Sequence, residues 1–576
     1  MDFDVILKDI GEFGRYQKLL FVFVILPACL PGGFHGFSQL FSVGTPENYS
    51  CHIPINNTLY NFSIFYQQSF IPPLDNGEPS KCDMYDVDYS NATQLYTFQP
   101  NHTRTIACQY GWDYDTSVYK KTAATEWNLV CARDFFPTLS IEIHTLGTLF
   151  GSLLFGYLGD RLGRKKAFYI AAMLQLISGL VTIAAPNFIV FCCIRFVNGI
   201  TIVPVWILPL IMGLELIGPT KRAPVGVTMS VFYTLGVVGL ATVAFFIRDW
   251  IPLQLTVTLP FSIFVFWWWL LPESPRWLMS QGRFDEMMVI VRKIAKVNGV
   301  VLMEKQIDKW QDRCRVAYEE EQAQRRYNLL DLFRTPNLRM KTILVVFNSF
   351  SNYAVYNGLN FFVPHLGDEH VSFLLSALVE LPSYLILYLT LNRFGRRVIL
   401  MSTMVTGGIF SIIAATMMTT ANQIVLVIFF LMSKFCITCS FFVTDLVASE
   451  LFPTVVRGAG ASLTQTVSAV GLCISPIISH LAKHYIFVPL IIFGVLAIVG
   501  GGTTLILPET ANTMLPETLE EGEAFGKNMT WKERLRFLPQ KTQSTVVHRS
   551  PSLSEARVLL NGNHLVPVDD KAMPIQ

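Results

Sequence analysis

The stretch that decides the fold is Gly156-Tyr157-Leu158-Gly159-Asp160-Arg161-Leu162-Gly163-Arg164-Lys165-Lys166. It lies between two long apolar segments and has a counterpart, Asn392-Arg393-Phe394-Gly395-Arg396-Arg397, that also lies between two apolar segments. A short basic connection between two bilayer-length helices is typical of a cytoplasmic hairpin in a polytopic membrane protein. Because this hairpin occurs twice, we predict a chain built from two repeated halves.

Two further pairs of motifs repeat at the same spacing. The stretch ELIGPTKR (215–222) corresponds to ELFPTVVR (450–457), and PES (272–274) corresponds to PET (508–510), with offsets of about 235 residues. The motif GYLGDRLGRKK resembles the loop 2-3 signature of the major facilitator superfamily, and the resemblance covers nearly the whole chain. Together with a large polar loop after the first apolar run, PESPRWL (272–278) resembles the organic-ion transporter branch, solute carrier family 22.

The composition excludes an ordinary soluble protein. The 576 residues are 52% hydrophobic and 15% charged, and the mean hydropathy is +0.42. The net charge of +2 does not set orientation, because the placement of Lys and Arg does. No basic patch with interleaved aromatic residues stands out in the sequence, so we expect no nucleic-acid partner.

The polar segment 44–134 follows the first apolar run, 19–43. It contains five N-x-S/T sequons, which begin at Asn48, Asn56, Asn61, Asn91 and Asn101, and four cysteines, which are Cys51, Cys82, Cys108 and Cys131. Clustered sequons and an even number of cysteines predict a glycosylated, disulfide-tied extracellular domain. Four cysteines allow three pairings, and the sequence does not choose among them.

Twelve apolar spans predict an all-α membrane protein with two six-helix halves, the major facilitator fold. The predicted parts are a cytoplasmic N-terminus (1–18), an N-terminal bundle (19–271), a cytoplasmic central loop of short helices (272–341), a C-terminal bundle (342–507) and a cytoplasmic tail (508–576). The polar tail from Gly522 onward is expected to be disordered. The short loops predicted inside carry ten Lys and Arg residues against two outside, which predicts cytoplasmic termini in a plasma-membrane protein.

The hairpin motifs carry candidate gating residues. Asp160, Arg161 and Arg164 can bridge neighbouring helix ends when the cytoplasmic side is closed. The alternative is that the basic residues only set topology, but topology does not require Asp160. In the second copy Asn392 replaces the acid, so a weaker latch is expected there. The second copy and the family resemblance extend the gating role to Arg393, Arg396, Glu215, Arg222, Glu450 and Arg457.

Ionisable residues inside apolar spans are costly, and they are therefore candidates for facing a water-filled interior. Glu380 lies near the middle of the eighth span, where it would neutralise a cationic substrate, form an internal ion pair or pack as a protonated acid. Lys434 and Asp445 are eleven residues apart in the tenth span, so they share a helix face with about 16 Å of rise between them. Glu142 in the second span is a further candidate.

Aromatic residues complete the candidate substrate site. Trp206 and Tyr356 match positions that line the pocket in organic-cation relatives, and aromatic faces attract ammonium groups by roughly 0.5 to 2 kcal/mol. The alternative is ordinary packing. Relatives selective for cations have an aspartate in the eleventh span, nineteen residues after the glutamate that corresponds to Glu450, and anion-selective relatives have an arginine. This chain has Ala469 there, so that position does not decide the substrate charge.

The expected function is alternating-access transport of a small organic ion across the lipid bilayer. Interior acids (Glu142, Glu380 and Asp445) outnumber interior bases (Arg195 and Lys434), which favours amine-bearing or carnitine-like cations and zwitterions. An organic anion exchanger on the same fold and a non-transporting receptor or scaffold remain alternatives. The sequence contains no nucleophile-base set, nucleotide-binding glycine loop or metal constellation, so no enzyme activity, cofactor or metal is expected. It does not predict the oligomeric state.

Overall fold

A computed structural model of the chain describes residues 3–54, 70–74, 77–89, 100, 103–323, 328–418, 422–511, 516, 518–527 and 529. Within these ranges, eleven helical segments are long and apolar enough to cross a membrane. A further helix, Pro336–Phe362, has the length but a more polar sequence, because its buried face carries Asn348, Ser349, Asn352 and Asn360. This helix completes the all-α arrangement that the sequence predicts.

The spans are numbered here in chain order. The N-terminal half comprises span 1 (Arg15–Ser42), span 2 (Phe136–Leu162), span 3 (Arg164–Ile183), span 4 (Phe188–Glu215), span 5 (Pro219–Phe246) and span 6 (Trp250–Leu270). The C-terminal half comprises span 7 (Pro336–Phe362), span 8 (Glu369–Phe394), span 9 (Arg396–Met417), span 10 (Gln423–Leu451), span 11 (Arg457–His480) and span 12 (Val488–Thr503).

The end of the helices that carries residues 44–134 is called the loop face. Strand β1 (Tyr49–Cys51) pairs antiparallel with β4 (Trp112–Tyr114), and β2 (Asp83–Tyr85) pairs antiparallel with β3 (Thr105–Ala107). Disulfides join Cys51 to Cys108 and Cys82 to Cys131, which selects one of the three pairings that the sequence left open. Asn48 is exposed, whereas the sequons at Asn56, Asn61, Asn91 and Asn101 lie outside the described residues.

The opposite end, which carries the turns at Gly163 and Gly395, is called the hairpin face. Short helices cover it in the N-terminal half: Phe3–Ile10, Pro275–Ser280, Phe284–Asn298 and Glu304–Ala323. Phe3, Ile6, Leu7 and Ile10 are buried, and their spacing is that of one helix face. The N-terminal helix therefore packs into this layer.

The tail beyond span 12 is ordered for longer than the sequence suggests. Helix Leu519–Ala524 lies against the start of span 7, where the Glu523 carboxylate accepts hydrogen bonds from the backbone N–H groups of Asn337 and Leu338, both at 2.9 Å. The Lys341 ammonium donates to the Gly522 carbonyl at 2.7 Å. Residues 522–527 are therefore an ordered exception in a tail that the sequence predicts to be largely disordered, because these contacts satisfy the unpaired donors of a helix N-terminus.

The two halves contact each other at the loop face. Phe41 of span 1 packs edge-on against Phe373 of span 8 with ring centroids 5.2 Å apart. Thr138 of span 2 hydrogen-bonds His480 of span 11 at 2.8 Å. The Tyr119 hydroxyl donates to Glu369, and burial raises the pKa of Tyr119 well above its usual value, so the phenol keeps its proton.

The distribution of the buried apolar clusters also distinguishes the loop face from the hairpin face. A cluster at the loop face draws on both halves, with residues such as Phe37, Leu240 and Phe361. In the described residues, the large cluster at the hairpin face contains only residues of the N-terminal half and of the short helices that cover it. The clusters around Phe452 and Leu391 contain only residues of the C-terminal half and of the segments just before and after it. The halves are therefore closed together at the loop face and separated at the hairpin face.

Candidate functional site

A buried ion pair of the C-terminal half lies in contact with span 5 of the N-terminal half. The Lys434 ammonium is 2.9 Å from the Glu380 carboxylate, and the two side chains are 0% and 2% exposed. Tyr356 and Thr234 each donate a hydroxyl hydrogen bond to that carboxylate at 2.8 Å. The Lys434 nitrogen also lies 3.6 Å from the centroid of the Tyr356 ring. Of the three interpretations of Glu380, the structure has the internal ion pair, and Lys434 cancels the charge of Glu380 in this state.

Asp445 lies nearer the hairpin face on the same side of span 10. Tyr353 donates to one carboxylate oxygen at 3.3 Å and the Gln465 amide donates to the other at 3.2 Å. Asp445 is half-buried and Gln465 is exposed, so this polar group faces the opening between the halves. Asp445 forms no ion pair within the described part of the chain. It therefore carries the unbalanced charge of the cavity.

Aromatic rings connect these two acidic groups. Phe441 stacks near both Tyr353 and Tyr356, with ring centroids 4.5 and 4.4 Å apart. From the other half, the half-buried Trp206 packs 5.6 Å from the ring of Tyr233, which precedes the Thr234 that contacts Glu380. The cavity therefore combines one free carboxylate with aromatic walls, an arrangement that suits an ammonium group.

Glu142 does not join this group. It is 7% exposed in span 2, where it lies beside Cys473 and the backbone of Ile477 in span 11. Arg195, the other interior base of the sequence, is 1% exposed and donates to Gln39 at 3.3 Å inside the N-terminal half. Neither residue adds a charge to the space around Asp445.

The candidate gating residues pair within their own half. Arg164 contacts Asp160 at 2.7 Å and Glu215 at 3.8 Å. In the C-terminal half, Arg396 lies 3.4 Å from Glu450. These two clusters occupy equivalent positions in the repeat, as the duplicated motifs predict.

Two of the remaining gating candidates have contacts within their own half. Arg457 donates to the Phe452 carbonyl at 3.3 Å, and Arg161 donates to Tyr157 one turn earlier. Arg393 is exposed at the hairpin face. Among the residues that the structure describes, no contact of Arg161, Arg393 or Arg457 with the other half is seen.

Sequence reasoning missed three acids that organise the hairpin face. Asp4 forms ion pairs with Arg222, at 2.6 Å, and with Arg276. The Glu273 carboxylate accepts a hydrogen bond from the backbone N–H of Lys165 at 3.1 Å, and Glu509 does the same for Arg396 at 2.8 Å. The last two acids therefore cap the N-termini of spans 3 and 9, where the helix dipole favours a negative charge. Their position in the repeated PES and PET motifs was the available signal.

Two halves of six spans around a central polar cavity define a secondary transporter that works in a lipid bilayer. The family model described as sugar (and other) transporter matches residues 99–521. The chain therefore belongs to that family of the major facilitator superfamily, and the resemblance to its organic-ion branch, solute carrier family 22, is confirmed.

Three relatives from Drosophila melanogaster are similar over most of their length. The chain is 38% identical to a beta-alanine transporter (91% of this chain and 89% of the relative), 39% identical to a carcinine transporter (93% and 81%) and 36% identical to an organic cation transporter protein (92% and 95%). Among solved structures, the inward open xylose transporter XylE from E. coli matches with a TM-score of 0.59 at 16% identity, over 88% of this chain and 99% of that one. The predicted fold class is thereby confirmed.

Proposed function

We propose that the protein transports small organic cations, and zwitterions with a cationic amine, by alternating access. The observation that carries this proposal is the charge balance of the cavity. Lys434 cancels Glu380 at 2.9 Å, Arg195 is sealed inside the N-terminal half, and Glu142 lies away from the cavity at span 11, so among these residues Asp445 supplies the unpaired charge beside the aromatic walls. A cation that enters the cavity is attracted to this carboxylate, and an anion is repelled by it.

The aromatic walls support the same substrate class. Tyr353, Phe441 and Tyr356 form a continuous aromatic surface beside Asp445, and Trp206 lies on the facing half. The names of the three relatives point in the same direction, because beta-alanine and carcinine both contain an amine.

The orientation of the chain is part of the proposal. The sequons and disulfides of residues 44–134 favour an extracellular loop face in the plasma membrane. The basic turns at Gly163 and Gly395 favour a cytoplasmic hairpin face, with both termini inside. The halves meet at the loop face, so this state is inward-open. The proposed parts are those predicted from the sequence, 1–18, 19–271, 272–341, 342–507 and 508–576, with span 1 beginning at Arg15 and span 7 at Pro336 in the structure.

The gating residues act at the stage of the transport cycle in which the cytoplasmic side is closed. When the halves close together at the hairpin face, the Arg164 cluster of one half meets the Arg396 cluster of the other. The exposed Arg393 and Arg161 are then available to bridge the two halves. Opening of the cytoplasmic side returns each arginine to the acid of its own half.

The test is substrate uptake by the Asp445→Asn variant. In cells or proteoliposomes, labelled tetraethylammonium should accumulate with the parent protein. Loss of a charged contact worth about 1.5 to 3 kcal/mol should weaken its apparent affinity about 10- to 100-fold in the variant. Glu319→Gln, on the exposed face of helix Glu304–Ala323, removes an acid far from the cavity and should leave uptake unchanged.

Three outcomes would contradict the proposal. Accumulation of labelled organic anions without competition from quaternary ammonium compounds would favour the anion exchanger. Equal losses for cationic and neutral substrates in Asp445→Asn would argue against direct charge contact. Absence of counterflow for any organic ion in proteoliposomes would favour a receptor.

A further inference from the structure

An unpaired acid lies at the contact between the two halves. Glu142 is in the second turn of span 2, close to the loop face. Its carboxyl group lies beside Cys473 and the backbone N–H of Ile477 in span 11, and beside the hydroxyl of Thr145 on its own helix. The residue is 7% exposed, and one of its carboxyl oxygens is buried without a hydrogen-bond partner. Spans 2 and 11 belong to different halves, so movement of the halves changes the surroundings of this carboxyl group directly.

No cation balances Glu142 in the described part of the chain. On span 11, the nearest titratable side chains are Cys473 and His480, and His480 is occupied by Thr138 at 2.8 Å. Lys483, just beyond span 11, contacts Asp134 instead at 3.7 Å.

The side of span 2 that faces span 4 offers no partner either. Arg195 of span 4 lies beside His144 and donates to Gln39 of span 1. His144 is two residues after Glu142 and therefore points about 200° away around the helix. The Arg195 charge thus acts on the opposite side of span 2.

A carboxylate ion is unfavourable in such a position. Burial removes water from the charge, and neither a cation nor a full set of hydrogen bonds replaces it. The neutral acid avoids this penalty, so the closed loop face favours protonated Glu142. When spans 2 and 11 separate, water reaches the carboxyl group and the ionised form becomes favourable.

We propose that Glu142 is a proton-binding site that couples closure of the extracellular face to the uptake of one proton. The proton comes from extracellular water when spans 2 and 11 close together, and it returns to extracellular water when they separate. The site lies on the extracellular side of the closed contact, so it makes the cycle sensitive to external pH. This inference rests on the orientation and the alternating access proposed above, but not on the substrate class.

Thermodynamic linkage between proton binding and opening sets the size of the pH effect. One proton released per opening event makes the ratio of outward-open to outward-closed molecules rise by up to tenfold for each unit of external pH. Acidic medium should therefore hold the loop face closed. A neutral glutamine at position 142 should hold it closed at every pH.

Distance measurement tests this without any substrate. Nitroxide labels on Val118→Cys and Tyr485→Cys, both exposed at the loop face and on different halves, would report the separation by double electron–electron resonance. The exposed Cys193 is replaced by Ser to avoid stray labelling. With the protein in lipid nanodiscs between pH 5.5 and 8.5, the population with the longer distance should grow with pH.

Three variants make the experiment decisive. Glu142→Gln should keep the short distance across the pH range, and Glu142→Asp should retain a pH dependence. His480→Gln, which removes a second titratable group of this contact, should leave the pH dependence in place. An unchanged pH dependence in Glu142→Gln, or its loss in His480→Gln, would overturn the proposal. A correct distance result with no cation uptake would reject only the proposed substrate class.

Discussion

Replacement of Glu380 by Gln should destabilise the protein strongly, because it leaves the Lys434 ammonium buried without a counter-charge. The pair is 2.9 Å apart in a site where both side chains are at most 2% exposed. Breaking a buried pair by removal of one partner costs about 3 to 5 kcal/mol. After the substitution, Lys434 would retain mainly the ring of Tyr356 at 3.6 Å, a contact worth up to about 2 kcal/mol.

The converse substitution, Lys434→Gln, should destabilise the protein less. Lys434→Gln leaves Glu380 with hydroxyl donors from Tyr356 and Thr234, both at 2.8 Å, and a carboxyl group can take up a proton. The double variant Glu380→Gln, Lys434→Gln contains no unpaired charge, so it should be more stable than Glu380→Gln alone. Thermal unfolding of purified protein, followed by the fraction that stays monodisperse, gives the order of the four proteins. A double variant that loses as much as the two single losses combined would refute this interpretation of the pair.

Two further substitutions test the hairpin face. Gly163 has φ of +101°, and a Cβ there would overlap the Glu273 carboxylate, so Gly163→Ala should lose at least about 1 to 2 kcal/mol of stability and should reach the cell surface in smaller amounts. Gly156→Ala is the control, because a Cβ at Gly156 meets open space. Equal surface expression of the two variants would contradict the assigned turn. Glu523→Ala removes the cap from the start of span 7 and should lower the unfolding temperature through a loss of about 0.5 to 2 kcal/mol, whereas the exposed Glu520→Ala should leave it unchanged. An equal loss of stability in the Glu523→Ala and Glu520→Ala variants would show that the cap is not the cause.

Apolar runs and repeated motifs predicted most of the fold, because bilayer length and duplication leave clear patterns in a sequence. The N-terminal helix was missed for a simple reason. Its charged residues led to the prediction of a cytoplasmic N-terminus without an assigned helix, although Phe3, Ile6, Leu7 and Ile10 already have the spacing of an amphipathic helix. The disulfide pairing could not be predicted, since four cysteines in one loop are compatible with three pairings.

The sequence predicted the individual residues of the candidate site, but it did not predict which of them form pairs. The cost of ionisable groups in lipid identified Glu380, Lys434 and Asp445 in advance. The sequence contains no information on the relative height of spans 8 and 10, and that height decides that Lys434 meets Glu380. It also does not reveal that Glu142 faces span 11 rather than the central cavity, because that depends on the rotation of span 2 about its axis.

The pairing explains how a cavity with nearly balanced numbers of acids and bases can still prefer cations. An anion would have to displace Glu380 from Lys434 in a site closed to water, and it would also meet the charge of Asp445. Asp445 hydrogen-bonds Gln465, which lies one helical turn before Ala469 on span 11. The family resemblance assigns the charge of cation-selective relatives to the position of Ala469. In this chain the Asp445 carboxylate of span 10 hydrogen-bonds Gln465, one helical turn from that position, and we propose that Asp445 supplies the negative charge there.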